Sequence, residues 1–369
     1  MIKSVYSDRL ARVQALLCRK KIDVLLVSQP HNRRYLSGYT APDHSIQESS
    51  GFLLIPAEGQ PFLLTDSRFT LQAEAEAPLY RVRLYTKGLF NLLERLQKKI
   101  AFRTLAFESN YFLYSSFLHL ADFCAKNGLS LLAEHGLIEQ MRLIKDEHEL
   151  RLLRQSTALN EQVFHSVYQT LKPGVTEREI ARAIDLTMRE MGAEGPSFDT
   201  IVAFGVNAAR PHAVPTDCAL RTGDLVMIDM GLVFQGYCSD MTRTFVFGRP
   251  DQTYINRHRL VRHAMLASIR AIRAGVTGAA VDRAARTVLA EGGYANAFNH
   301  SLGHGVGIAV HEEPRLSPRW RRQLRAGMVV TVEPGLYLAG WGGIRLENIV
   351  VVTEQGCEVL NRDTTSLDL

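Results

Sequence analysis

A chain of 369 residues, 46% hydrophobic and 22% charged, has the make-up of an ordinary soluble globular protein and length enough for two domains. Its opening, MIKSVYSDRLARVQ, lacks the apolar stretch of a secretion signal and no run approaches a membrane span, so a cytoplasmic chain without a membrane partner is expected. The net charge of +5 permits a nucleic-acid partner, but the densest basic cluster (Arg315, Arg319, Arg321, Arg322, Arg325) is interleaved only with Trp320 and reads as solvated surface, so none is expected.

In chain order, Leu10, Val13 and Leu17 keep the 3–4 spacing of a short amphipathic helix. Strand-like apolar runs follow at 22–28, 51–55, 61–64 and 105–108, with a helical pattern over 90–98 between them. Alternating strands and helices predict a small α/β domain over residues 1–140. Asp146, followed three residues later by Glu149, resembles a capping box, and helical spacing then persists from Leu150 to Leu171 until Pro173-Gly174. That helix opens a second domain, placed at 146–369. Five scattered cysteines without a CxxC predict reduced thiols, with Cys238 in a packing role.

The second domain repeats itself. Gly174-Val175-Thr176 recurs 101 residues on as Gly275-Val276-Thr277, and Gly223, Asp229, Gly231 and Gly236 recur 104 residues on as Gly327, Glu333, Gly335 and Gly340. Two matched blocks in the same order imply two α+β halves about a pseudo-twofold axis. Each half carries a hairpin signal with two acids. Asp229 and Asp240 are symmetric about a midpoint between Phe234 and Gln235, and Glu333 and Glu347 about Gly340. Directly opposed residues share a face with Cβ atoms about 5 Å apart, and like charges there destabilise unless a cation sits between them. Between the hairpins, His304 lies in Gly303-His304-Gly305, with His311 seven residues later. Glycines there permit close backbone approach. Four carboxylates and one imidazole carry a formal charge of −4, which two divalent ions balance. Oxygen-rich ligation favours Mn²⁺, with Co²⁺, Fe²⁺ or Zn²⁺ possible.

The order Asp229, Asp240, His304, Glu333, Glu347 within these motifs resembles the pita-bread metallopeptidases: methionine aminopeptidase, aminopeptidase P and prolidase, with creatinase as a relative. The likeness covers 146–369, and NRRYLSGY (32–39) and TDSRF (65–69) are similar to landmarks of the creatinase-type N-terminal domain. It implies an α+β, pseudo-twofold pita-bread catalytic domain preceded by a smaller α/β domain. It also implies a homodimer acting on short peptides. By motif, Asp229 would hold one metal, His304 and Glu333 the other, and Asp240 and Glu347 both. Glu333 would also be the general base. His212 in RPHAVP and His311 in VHEEP match substrate-contacting histidines, and Arg345 and Tyr237 match positions that orient the bridging carboxylates. The implied activity is hydrolysis of the Xaa-Pro bond of dipeptides or short peptides by a metal-bridging hydroxide. A broader aminopeptidase accepting Met-Xaa or Ala-Xaa stays open, as does a binding module without peptidase activity. One departure is visible: the family often has aspartate after the last glutamate, where this chain has Asn348.

Overall fold

The spacing of Leu10, Val13 and Leu17 matures into a helix over Ile2–Lys20 in which Val13 and Leu17 are fully buried. The structure, a computed structural model, describes residues 2–364, and the chain divides into two units, Met1–Met141 and Arg142–Leu369. The four apolar runs of the first unit become the strands Val24–Val27, Phe52–Pro56, Phe62–Thr65 and Thr104–Glu108, the centre of a six-stranded mixed sheet. Its outer strands, Arg81–Leu84 and Ser130–Glu134, are only partly buried, so their sequences lack the continuous apolar run that marks the inner four. The guanidinium of Arg33 is buried and donates to Asp43 Oδ1 at 2.7 Å, Ser28 O at 2.8 Å and Gly51 O at 2.7 Å.

In the second unit, Asp146 and Glu149 form both arms of the capping box that starts the helix Glu147–Tyr168. Ser156 and Asn160 on that helix donate to the main-chain oxygens of Tyr237 and Met230, at 3.0 Å each, pinning it to the first hairpin. The internal repeat is written into the hydrogen bonds. Thr176 caps the helix Glu177–Glu190 and Thr277 caps Gly278–Glu291. The amide of Gly174 donates to Leu220 O and that of Gly275 to Leu324 O, both at 2.9 Å. The return bonds, Leu220 N to Val175 O and Leu324 N to Val276 O, are both 2.8 Å. Gly174 and Gly275 stand at φ 92° and 85°, the left-handed region that glycine enters without strain.

The two hairpins keep different registers. In the second, Gly335 faces Arg345 and Val332 faces Asn348, so Glu333 and Glu347 stand opposite each other about Gly340 as their symmetry predicts. In the first, Asp229 faces Thr242, two residues away from the expected partner Asp240. The turn explains the shift: Gln235 and Gly236 both take positive φ (47° and 84°), so the tip lies one residue later than the midpoint read from the sequence. Because side chains alternate with a period of two, a slip of two residues leaves both aspartates on one face.

Candidate metal centre

Each carboxylate sits on or beside a hairpin strand whose alternation points it inward. Asp229 lies in Leu225–Met230, Asp240 just before Met241–Val246, Glu333 just after Val329–Val332, and Glu347 just before Asn348–Val352. His304 comes from the short strand Gly303–Gly305. A Cβ on Gly303 would lie 2.0 Å from Thr331 O, and one on Gly305 2.2 Å from Glu313 O, so only glycine lets the neighbouring backbones press against this strand. All five side chains line one cavity of about 480 Å³, together with His212, His311, His300, Arg345, Phe198 and Val214.

One ligand atom each from Asp240, His304 and Glu347 lies within 4.8 Å of the other two. His304 Nε2 is 3.5 Å from both Asp240 Oδ2 and Glu333 Oε1. Its Nδ1 lies 3.1 Å from Gly305 O, an acceptor, which puts the ring proton on Nδ1 and leaves the Nε2 lone pair facing the acids. Burial, and then His311 beside it, lower the His304 pKa to about 3, so the ring is neutral and these contacts are not ion pairs. Burial pushes the carboxyls of Asp240, Glu333 and Glu347 up, the last to about 8, and mutual repulsion with the neighbouring acids adds to it. Asp229 Oδ1 is buried and receives no hydrogen bond from the described residues. Clustered acids that raise one another's pKa, a neutral imidazole aiming a lone pair among them and an orphaned carboxylate oxygen together form a donor set for divalent metal ions.

Arg345 reaches this set from behind. Its Nη2 donates to Asp229 Oδ2 at 2.5 Å, its Nε to Thr242 Oγ1 at 3.0 Å and its Nη1 to Tyr337 Oη at 2.7 Å. Thr242 in turn donates to Glu347 Oε2 at 2.7 Å, so one guanidinium orients carboxylates from both hairpins. Tyr237 lies elsewhere. Its hydroxyl donates to Glu149 Oε1 at 3.0 Å, tying the hairpin tip to the helix Glu147–Tyr168, and it is not part of the cavity lining. Cys238 also lies outside the lining and is buried, with Sγ donating to Ile308 O at 3.3 Å. His311 packs edge-on against His304 with ring centroids 4.2 Å apart, and His212 stands exposed at the rim.

Three further residues were not singled out from the sequence. Thr331 Oγ1 accepts from His304 N at 3.0 Å and donates to Glu333 Oε1 at 3.2 Å. Thr331 is two residues from Glu333, as Thr242 is from Asp240, so strand alternation alone puts each threonine on the face of its acid. His300 lines the cavity and contacts Tyr337 Oη at 3.0 Å through Nε2, extending the chain behind Arg345. Only its position four residues before His304 hints at it.

A duplicated α+β unit with a buried carboxylate–imidazole cluster facing a cavity fits a metal-dependent hydrolase. The chain belongs to metallopeptidase family M24, whose profile matches residues 151–354, and the profile of the creatinase/prolidase N-terminal domain matches residues 9–144. An Xaa-Pro dipeptidase from Bacillus anthracis is similar in structure, with a TM-score of 0.88 and 33% identity over 97% of this chain and 98% of that one. The X-Pro aminopeptidase from Thermotoga maritima gives a TM-score of 0.86 and 36% identity over 93% and 96% of the two chains. The Xaa-Pro dipeptidase of Pyrococcus horikoshii is 30% identical over 366 residues, 98% of this chain and 99% of the relative. No helix among the described residues is long and apolar enough to cross a membrane.

Proposed function

We propose that this M24 metallopeptidase is a dinuclear exopeptidase that hydrolyses the Xaa-Pro bond of dipeptides or short peptides. The observation that carries the reading is the convergence of four carboxylates and His304 on one cavity of about 480 Å³. The names of the similar dipeptidases and aminopeptidase support the substrate class. Asp229, Asp240, His304, Glu333 and Glu347 would hold the two ions. Manganese is the metal proposed, and the active form a cytoplasmic homodimer. When bound, such ions would lower the pKa of a water to about 7 and polarise the peptide carbonyl.

The chain's own residues do the rest. Glu333, whose Oε1 accepts from Thr331, takes the proton of the attacking water and passes it to the leaving nitrogen, a task worth roughly 10²–10⁴-fold. Burial lowers the His311 pKa, so the neutral ring donates one N–H to the carbonyl oxygen as it gains charge. His212 meets the substrate at the rim, and Phe198 and Val214 offer an apolar wall for the proline ring. A panel of Ala-Pro, Ala-Pro-Ala and Met-Ala-Ala tests the reading on the Mn²⁺-loaded protein. It expects cleavage of the proline peptides at rates at least about 100-fold above Met-Ala-Ala. Equal rates would establish the broader aminopeptidase, and no cleavage of any peptide the binding module.

A further inference from the structure

Arg243 is 1% exposed, and every N–H of its guanidinium is used. Nε donates to Asp363 Oδ2 at 2.7 Å, Nη1 to Thr242 O at 3.0 Å and Glu347 O at 2.6 Å, and Nη2 to Asn348 Oδ1 and Asp363 O, both at 3.1 Å. The arginine therefore staples the strand that follows Asp240 to the main chain of Glu347, where the two hairpins meet. A buried guanidinium needs a buried counter-charge, and breaking such a pair leaves it uncompensated. Residue 348 touches the guanidinium but is a neutral asparagine. The carboxylate comes instead from Asp363, 120 residues away in sequence. That aspartate is itself fixed: its Oδ1 lies 3.0 Å from His165 Nε2, and the amides of Arg362 and Asp363 both donate to Glu161 Oε1 at 2.8 Å.

We propose that Asp363 is a positioning residue for the metal centre: it is the counter-ion that holds Arg243 against the main chain of Glu347, the charge that residue 348 does not supply. The inference rests on the metal-centre reading above. Asparagine and aspartate have the same shape, so the carboxylate can be moved between positions 363 and 348 without changing packing volume. The test compares wild type, Asp363→Asn, Asn348→Asp and the double exchange. It measures Mn²⁺ affinity by calorimetry, kcat and KM on Ala-Pro, and the melting midpoint of the metal-free protein. Asp363→Asn is expected to weaken Mn²⁺ binding and lower kcat by roughly 10–100-fold with KM little changed. The double exchange should return both to within about threefold of wild type, since the charge is restored beside the same guanidinium. A purely structural anchor would be lost in both variants, and the exchange would rescue nothing. Unaltered Mn²⁺ affinity and kcat in Asp363→Asn, or a loss that the double exchange does not repair, overturns the proposal alone. A wild-type protein that takes up no Mn²⁺ defeats the metal-centre reading and this proposal with it.

Discussion

Glu312 offers a quantitative test of how the segment bearing His304 and His311 is held. Its carboxylate is buried and accepts from Arg142 Nη2 at 2.5 Å and Lys145 Nζ at 2.6 Å, with all three side chains under 10% exposed. It also fills the space beneath the preceding turn, where a Cβ on Gly307 would lie 2.3 Å from its Oε1. Burial by itself would push this carboxyl up, but Lys145 and Arg142 outweigh it and hold the pKa below the ordinary value. Replacing Glu312 by glutamine keeps the shape and one acceptor and strands two buried cations. Breaking such a pair costs about 3 kcal/mol at the low end. At roughly 2–4 °C per kcal/mol for a unit of this size, the melting midpoint should fall by about 6–12 °C at pH 7. Because the folded pKa is depressed, the stabilisation is fully present above about pH 5 and is lost as the pH falls through the folded value. Calorimetry of wild type and Glu312→Gln at pH 7 and near pH 3 should therefore show a gap that closes on acidification. The metal-site acids titrate alike in both proteins and cancel. A gap below about 1 kcal/mol at pH 7, or one that persists unchanged in acid, refutes the reasoning.

Two further changes probe the centre itself. Arg345→Lys removes the planar fork that reaches Asp229, Thr242 and Tyr337 together, and should lower kcat roughly 10–100-fold with the fold retained by circular dichroism. Gly303→Ala places a methyl 2.0 Å from Thr331 O, so the strand bearing His304 must shift, and metal analysis should find less than two Mn²⁺ per chain.

How far the site could be read from the sequence depended on the residue. The second hairpin's register followed from symmetry about Gly340, because Gly340 takes φ 77° at the tip and pairing is regular on both sides. The first hairpin's register did not, because Gln235, a residue that seldom takes positive φ, shares the turn with Gly236. The cap at Asp146 was legible, since Asp146 and Glu149 act within three residues of each other. The network behind the acids was not. Arg345 to Asp229, Thr242 to Glu347 and Arg243 to Asp363 each join residues more than 100 positions apart, and nothing local marks such pairs. Tyr237 was singled out by a motif match, whereas the bond of its hydroxyl to Glu149, 88 residues away on the adjacent helix, was not legible.

The most direct test titrates chelator-dialysed protein with Mn²⁺ while Ala-Pro cleavage is followed. The stripped protein should show no turnover and then a rise that saturates at two ions per chain, with Asp240→Asn and Glu347→Gln failing to recover. Full turnover after exhaustive chelation, or saturation that survives loss of either carboxylate, would contradict the two-metal reading.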